Sequence, residues 1–66
     1  MAKCKHADVD AAAYIWFTQQ RAMNVPVRGI DLQAAAVRLA VELGVTDFKG
    51  STGWLAKFKE RHGLPI

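Results

Sequence analysis

Apolar residues recur at helical spacing in three segments of the chain, and polar, glycine- and proline-containing stretches separate them. In the first segment, about residues 8–23, one face of a helix with a period of about 3.6 residues collects Val9, Ala13, Trp16, Phe17 and Gln20. Asp8 is predicted to cap this helix, and Asp10 lies in the first turn, where the helix dipole favours an anion. Pro26 then ends the helical pattern because it lacks an amide donor.

The second segment, residues 31–43, is delimited by a cap and a glycine. Asp31 is predicted to be its N-cap, and Gly44 stands where a helix C-terminus favours glycine. The three consecutive alanines at 34–36 favour a helix. Its predicted core face consists of Leu32, Ala36, Leu39, Ala40 and Leu43.

The third segment, residues 51–62, begins with Ser51 as the predicted N-cap and ends before Gly63 and Pro65. Its aromatic and large aliphatic residues, Trp54, Leu55 and Phe58, are predicted to be buried. Its outward face is predicted to consist of Thr52, Gly53, Ala56 and Glu60, flanked by Lys57, Lys59 and Arg61. Phe48, in the preceding connection, is expected to pack into the core. The pattern predicts an all-α, small helix-turn-helix bundle of three main helices.

Composition limits what such a chain can be. Its 66 residues make one small domain, here residues 8–64 after a tail at 1–7, and 52% hydrophobic residues are too many for a disordered chain. Cys4 is the only cysteine, so no internal disulfide forms and a reducing compartment is expected. No apolar run approaches the roughly 18 residues of a membrane span, and no signal-peptide pattern opens the sequence.

Positive charge is concentrated on the third predicted helix. Residues 49–62 hold four cations and one anion, whereas residues 1–48 hold five of each, so the formal net charge of +3 belongs to this stretch. Small outward residues would let the helix approach base edges in a major groove, while its lysines and arginine reach phosphates. Glu60 fits this hypothesis least well, because it repels phosphate unless it accepts from a cytosine amino group or points to solvent.

Three motif segments resemble the CENP-B-type helix-turn-helix domain of centromere protein B-like proteins, jerky, and pogo- and Tigger-type transposases. They are WFTQQRAMNVPVRG, AVRLAVELGVTDFKGS and GWLAKFKERHG, and the likeness runs from about Val9 to Leu64. The resemblance implies an all-α fold, a nuclear location and sequence-specific binding of duplex DNA. It also implies an adjacent first DNA-binding module in the full-length protein.

The resemblance and the charge pattern together predict the residues that contact DNA. Groove-facing positions of the family correspond to Ser51, Thr52, Gly53, Lys57 and Arg61, and the nearby cations Arg28, Lys49 and Lys59 complete the predicted set. The family often has Asn at position 52, Arg at 57 and charged residues at 34–35. The departures in this chain imply a different site preference and a lower affinity. Charge reversal at Lys57 or Arg61 is expected to abolish binding and leave the fold intact.

Other sequence signals point to different functions. Cys4, His6 and His62 lack the spacing and the fourth ligand of a zinc site, and no cofactor is expected. A triad built on Ser51 and His62 lacks a nucleophile elbow, so the sequence does not indicate an enzyme.

Protein binding is the main alternative. Ala34, Val37 and Val41 form a second apolar line on the second predicted helix, and Tyr14 and Ile15 lie off the core face of the first. These residues either contact neighbouring helices, lie singly on the surface, or form a patch for another protein. In that last case the chain would be a helical interaction module whose DNA binding has been lost.

Overall fold

Three helices form the architecture of the computed structural model, which describes residues 6–64. They are α1 (Ala7–Ala22), α2 (Gly29–Glu42) and α3 (Thr52–His62). The described part of the chain contains no strand, so the predicted all-α fold is confirmed. None of its helices has the length and apolar character needed to cross a membrane.

The core forms where one face of each helix meets the other two. Its buried apolar residues are Val9, Ala13, Phe17, Leu32, Ala35, Ala36, Ala40, Leu55 and Phe58. Trp16, Leu39, Phe48 and Trp54 are partly buried against them, as the sequence predicts. Small alanines line α2 where it packs on α1, while α3 contributes larger side chains.

The predicted core of α2 needs two corrections. Leu43 is half exposed, because α2 ends at Glu42 and Leu43 is the C-cap rather than part of the helical face. Ala35 is buried although its neighbour Ala34 is exposed. Ala35 lies three residues after Leu32 and therefore on the same side of the helix, so the buried face of α2 is wider than predicted.

Two helices begin earlier than predicted. The N-cap of α1 is His6, whose carbonyl accepts from the amide of Asp10 at 2.9 Å, and Asp8 lies within the first turn. The N-cap of α2 is Arg28, while Asp31 is the third helical residue. The Asp31 carboxylate accepts a hydrogen bond from the Arg28 amide at 3.0 Å. It thus stabilises the N-terminus of α2 from the third helical position and not as the N-cap.

The predicted ends of α3 are confirmed. The Ser51 hydroxyl oxygen accepts from the amide of Trp54 at 3.2 Å, the geometry of an N-cap. At the other end Gly63 has φ 61°, the left-handed conformation that ends helices and that glycine adopts without strain.

The connection between α2 and α3 is fastened to α2 just before α3 begins. Gly50 has φ 59°, and a Cβ there would lie 2.7 Å from Cγ2 of Val37. The Gln33 side-chain amide donates to the carbonyl of Gly50 at 2.9 Å. Because this contact immediately precedes the N-cap Ser51, it fixes where α3 starts relative to α2.

Candidate nucleic-acid interface

The inner face of α3 is anchored by a continuous series of aromatic contacts. Trp54 and Phe58 lie one turn apart on α3 with ring centroids 4.9 Å apart. The series runs His6–Phe48 (5.3 Å), Phe48–Trp54 (5.2 Å), Trp54–Phe58, Phe58–His62 (4.6 Å) and His62–Tyr14 (4.3 Å). It begins and ends on residues of α1 or its cap. The rings therefore connect α3 to Tyr14 of α1 at its last turn and, through Phe48, to the α1 N-cap near its first turn.

A buried carboxylate joins α1 to the last turn of α3. Asp10 is 9% exposed, and its Oδ1 accepts from the Arg61 guanidinium, including Nε at 3.2 Å. Its Oδ2 lies 2.9 Å from Nε2 of His62. Burying a carboxylate requires such partners, because an unpaired charge loses its hydration without compensation.

The outer face of α3 consists of small and charged side chains. Thr52, Gly53, Ala56, Lys57 and Glu60 are all exposed. They point away from Leu55 and Phe58, as the helical period requires. The outer face, as defined by these five residues, is free of bulky apolar groups, so a partner could approach the helix backbone closely.

The first turn of α3 adds backbone donors to this surface. The four N-terminal amides of a helix have no partner within the helix, and Ser51 satisfies that of Trp54. The amides of Thr52 and Gly53 therefore remain for an anion at the helix N-terminus, where the dipole also favours negative charge.

The other predicted cations lie outside the outer face. Lys59 is partly buried at its edge, and Lys49 is exposed in the preceding connection. Arg28 is exposed at the start of α2 and pairs with Asp31 (Nε to Oδ2, 3.4 Å). It lies near α3, because a Cβ on the neighbouring Gly29 would be 2.9 Å from Cδ2 of Leu55.

Arg61 occupies a different environment from Lys57. Its guanidinium binds Asp10, and its side chain is 38% exposed. Glutamate at position 61 would therefore set a second carboxylate against buried Asp10 and destabilise the fold, contrary to the expectation for Arg61→Glu. No ion pair joins Lys57 to any residue between 6 and 64, so charge reversal there tests binding without this complication.

The sequence missed the structural role of Asp10. It indicated only a favourable interaction with the α1 dipole, because Asp10 lies about 50 residues from its partners and no local spacing connects them. The role of His62 follows from the same contacts: it packs between Tyr14 and Phe58 and meets Asp10. Within residues 6–64, no three His, Cys, Asp or Glu side chains group as a metal site, and Cys4 lies outside these residues.

The second apolar line is exposed. Val37 is 38% and Val41 72% exposed, and Ala34 is exposed as well. On α1, Tyr14 and Ile15 are also exposed, although the Tyr14 ring stacks on His62. These residues lie on the surface singly or in a narrow stripe.

Comparisons with known proteins place the chain in context. A family model described as the Tc5 transposase DNA-binding domain matches residues 6–66. The chain is 57% identical over 60 residues to human Tigger transposable element-derived protein 7, covering 91% of this chain and 11% of that protein. It is 53% identical over 49 residues to human major centromere autoantigen B, covering 74% of this chain and 8% of that protein.

A mouse relative extends the same pattern. Tigger transposable element-derived protein 4 is 42% identical over 59 residues, which are 89% of this chain and 12% of that protein. The chain thus spans about a tenth of the length of these curated relatives. No solved structure matches it significantly. The relatives confirm the resemblance drawn from the three motif segments.

Proposed function

The chain belongs to the Tc5 transposase DNA-binding domain family, and from this premise we propose that it binds duplex DNA through the outer face of α3. In this proposal α3 lies in the major groove, which admits a single helix. Lys57 and Lys59 contact phosphates on either side, and the free amides at the start of α3 contact another. Lys49 and Arg28 extend the contact, while Thr52 faces bases or phosphate.

The observation that carries this proposal is the separation of the two faces of α3. Large aromatic side chains are confined to the inner face, and the exposed outer face holds small and charged residues. A helix with this division has a rigid support on one side and an unobstructed backbone on the other. That combination suits close approach to a groove.

The same proposal extends to the cellular setting. We infer that the domain acts in the nucleus, that it performs no catalysis itself, and that a neighbouring DNA-binding module accompanies it in the full-length protein. Its small share of its relatives' length supports a neighbouring module. The interaction-module alternative, based on Ala34, Val37 and Val41, is not favoured, because the family is a DNA-binding one.

A chemical-shift titration with duplex DNA at several salt concentrations tests the proposal. We expect a Kd of about 10⁻⁴–10⁻⁶ M for the lone domain, as for contacts mainly to the backbone. With roughly three to five phosphates contacted, the slope of log K against log salt should lie near −3 to −4. Shift changes should concentrate at residues 51–60.

Two substitutions sharpen this experiment. Lys57→Glu should abolish binding, and Lys57→Gln should reduce the magnitude of the salt slope by about 0.9. Arg38→Gln, which removes an exposed cation from α2 instead, is the matched control and should leave the slope unchanged. Circular dichroism checks that each variant remains folded. Shift changes confined to the Ala34–Val41 side, or equal effects of the two Gln variants, would contradict the proposed surface.

A further inference from the structure

Glu60 is an anion at the C-terminal end of the outer face of α3, a surface that is otherwise small or cationic. It is exposed on α3, one turn beyond Ala56 and two turns beyond Gly53. Phe58 and Leu55 lie on the opposite side of the helix, in the core. Glu60 therefore points directly outward, where the proposed groove would lie.

A carboxylate in this position is unfavourable unless it meets a hydrogen-bond donor. Coulomb repulsion from phosphates on both groove walls would oppose binding, and an ionised carboxylate can only accept hydrogen bonds. Because Gly53 and Ala56 add little bulk beside it, the helix backbone can approach the floor of the groove. The Glu60 carboxylate then reaches base edges rather than the phosphates on the walls.

The floor of the major groove offers two kinds of donor, and only one suits a carboxylate well. Cytosine presents its N4 amino group beside C5–H, with no acceptor of its own on the major-groove edge. Adenine presents N6 beside the acceptor N7, which repels a second acceptor. On these grounds, and resting on the DNA-binding function proposed above, we propose that Glu60 is a specificity-determining residue that selects a C·G base pair by accepting from cytosine N4.

Selection from a library of duplexes with a randomised segment tests this assignment. The parent chain, Glu60→Ala and Glu60→Gln are each taken through the selection, with Glu42→Gln as a control for removing an exposed carboxylate elsewhere. The parent should enrich sites with cytosine at one fixed position. Glu60→Ala should lose that preference, and Glu60→Gln should change it toward adenine, whose N6 and N7 match an amide.

Binding measurements then give the size of the effect. Replacing the selected C·G pair should weaken binding of the parent by on the order of 10- to 100-fold, and the same change should barely affect Glu60→Ala. Glu42→Gln should behave as the parent does.

The outcomes separate the two proposals. If the parent binds duplexes but its preferences are absent or identical in the Glu60 variants, Glu60 does not read a base, and the DNA-binding function stands. If the parent retains no duplex at all, the proposed function fails and this assignment fails with it.

Discussion

The inner and outer faces of α3 differ in how much each residue depends on its neighbours. On the inner face, Trp54, Phe58 and His62 touch one another and reach α1 through Tyr14 and Asp10. On the outer face, Thr52, Ala56 and Lys57 are exposed to solvent. Inner-face contacts are thus expected to determine stability collectively, whereas outer-face residues should act on binding one at a time.

This difference gives each substitution a distinct signature. A change on the inner face should lower the free energy of unfolding and affect DNA only through loss of the fold. A change on the outer face should affect DNA and leave thermal unfolding nearly unchanged, as surface substitutions usually do. The following predictions run from the largest expected effect to the smallest.

Phe58→Ala should have the largest effect on stability. Phe58 is fully buried between Trp54 and His62, and removing its ring leaves a cavity. The expected loss is about 3–5 kcal/mol, enough to unfold so small a domain. Thermal unfolding followed by circular dichroism measures it. Lys57→Ala is the outer-face control and should change the free energy of unfolding by less than about 0.5 kcal/mol. Equal losses of stability in the two variants would contradict the proposed difference between the inner and outer faces.

Asp10→Asn should have a smaller but clear effect. It keeps the side-chain shape and removes the charge that pairs with Arg61. Because that guanidinium is more than a third exposed and can turn to water, we expect a loss of about 1–2 kcal/mol rather than the larger cost of breaking a fully buried pair. Asp8→Asn, in the same turn but exposed, is the control in urea unfolding. Comparable midpoints for the two variants would show that Asp10 contributes no more than a surface anion.

Ser51→Ala removes the N-cap of α3 and should lower stability by less than the two preceding substitutions. The Trp54 amide would lose its acceptor, at a cost of about 1 kcal/mol. Amide hydrogen exchange should accelerate most in the first turn of α3. Faster exchange at the last turn instead would mean that the aromatic contacts, not the cap, hold the N-terminus.

The smallest expected effect is a dependence of stability on pH below about 4, and it comes from Asp31 at the start of α2. The hydrogen bond from the Arg28 amide lowers the pKa of Asp31 below its ordinary value of 3.8, aided by the Arg28 side chain. The carboxylate therefore adds stability above its unfolded-state pKa, and this contribution is lost as the pH falls below about 3.8 through the lower folded-state pKa. Asp31→Asn should be slightly less stable than the parent at neutral pH and equal to it in acid, as measured by urea unfolding. A constant difference at all pH values would contradict the ionic contribution.

Much of the fold follows from local sequence, whereas the contacts between α1 and the last turn of α3 do not. Helical periodicity predicts three helices, and Ser51 and Gly63 mark the ends of α3 because capping chemistry is local. The predicted start of α2, at Asp31, is three residues too late. A carboxylate can accept a hydrogen bond from the N-cap amide when it stands at the third helical residue, so an Asp near a helix start does not by itself identify the N-cap. Asp10 meets Arg61 only after the chain has folded, so its spacing in sequence gives no signal.

The contact of Gly50 with Val37 makes residues of α2 relevant to any DNA bound by α3. Any side chain at position 50 would collide with Val37, since a Cβ there would lie 2.7 Å from its Cγ2, so the start of α3 cannot change without a change on α2. The position of the proposed DNA-binding surface thus depends on a residue of α2 that is not part of that surface.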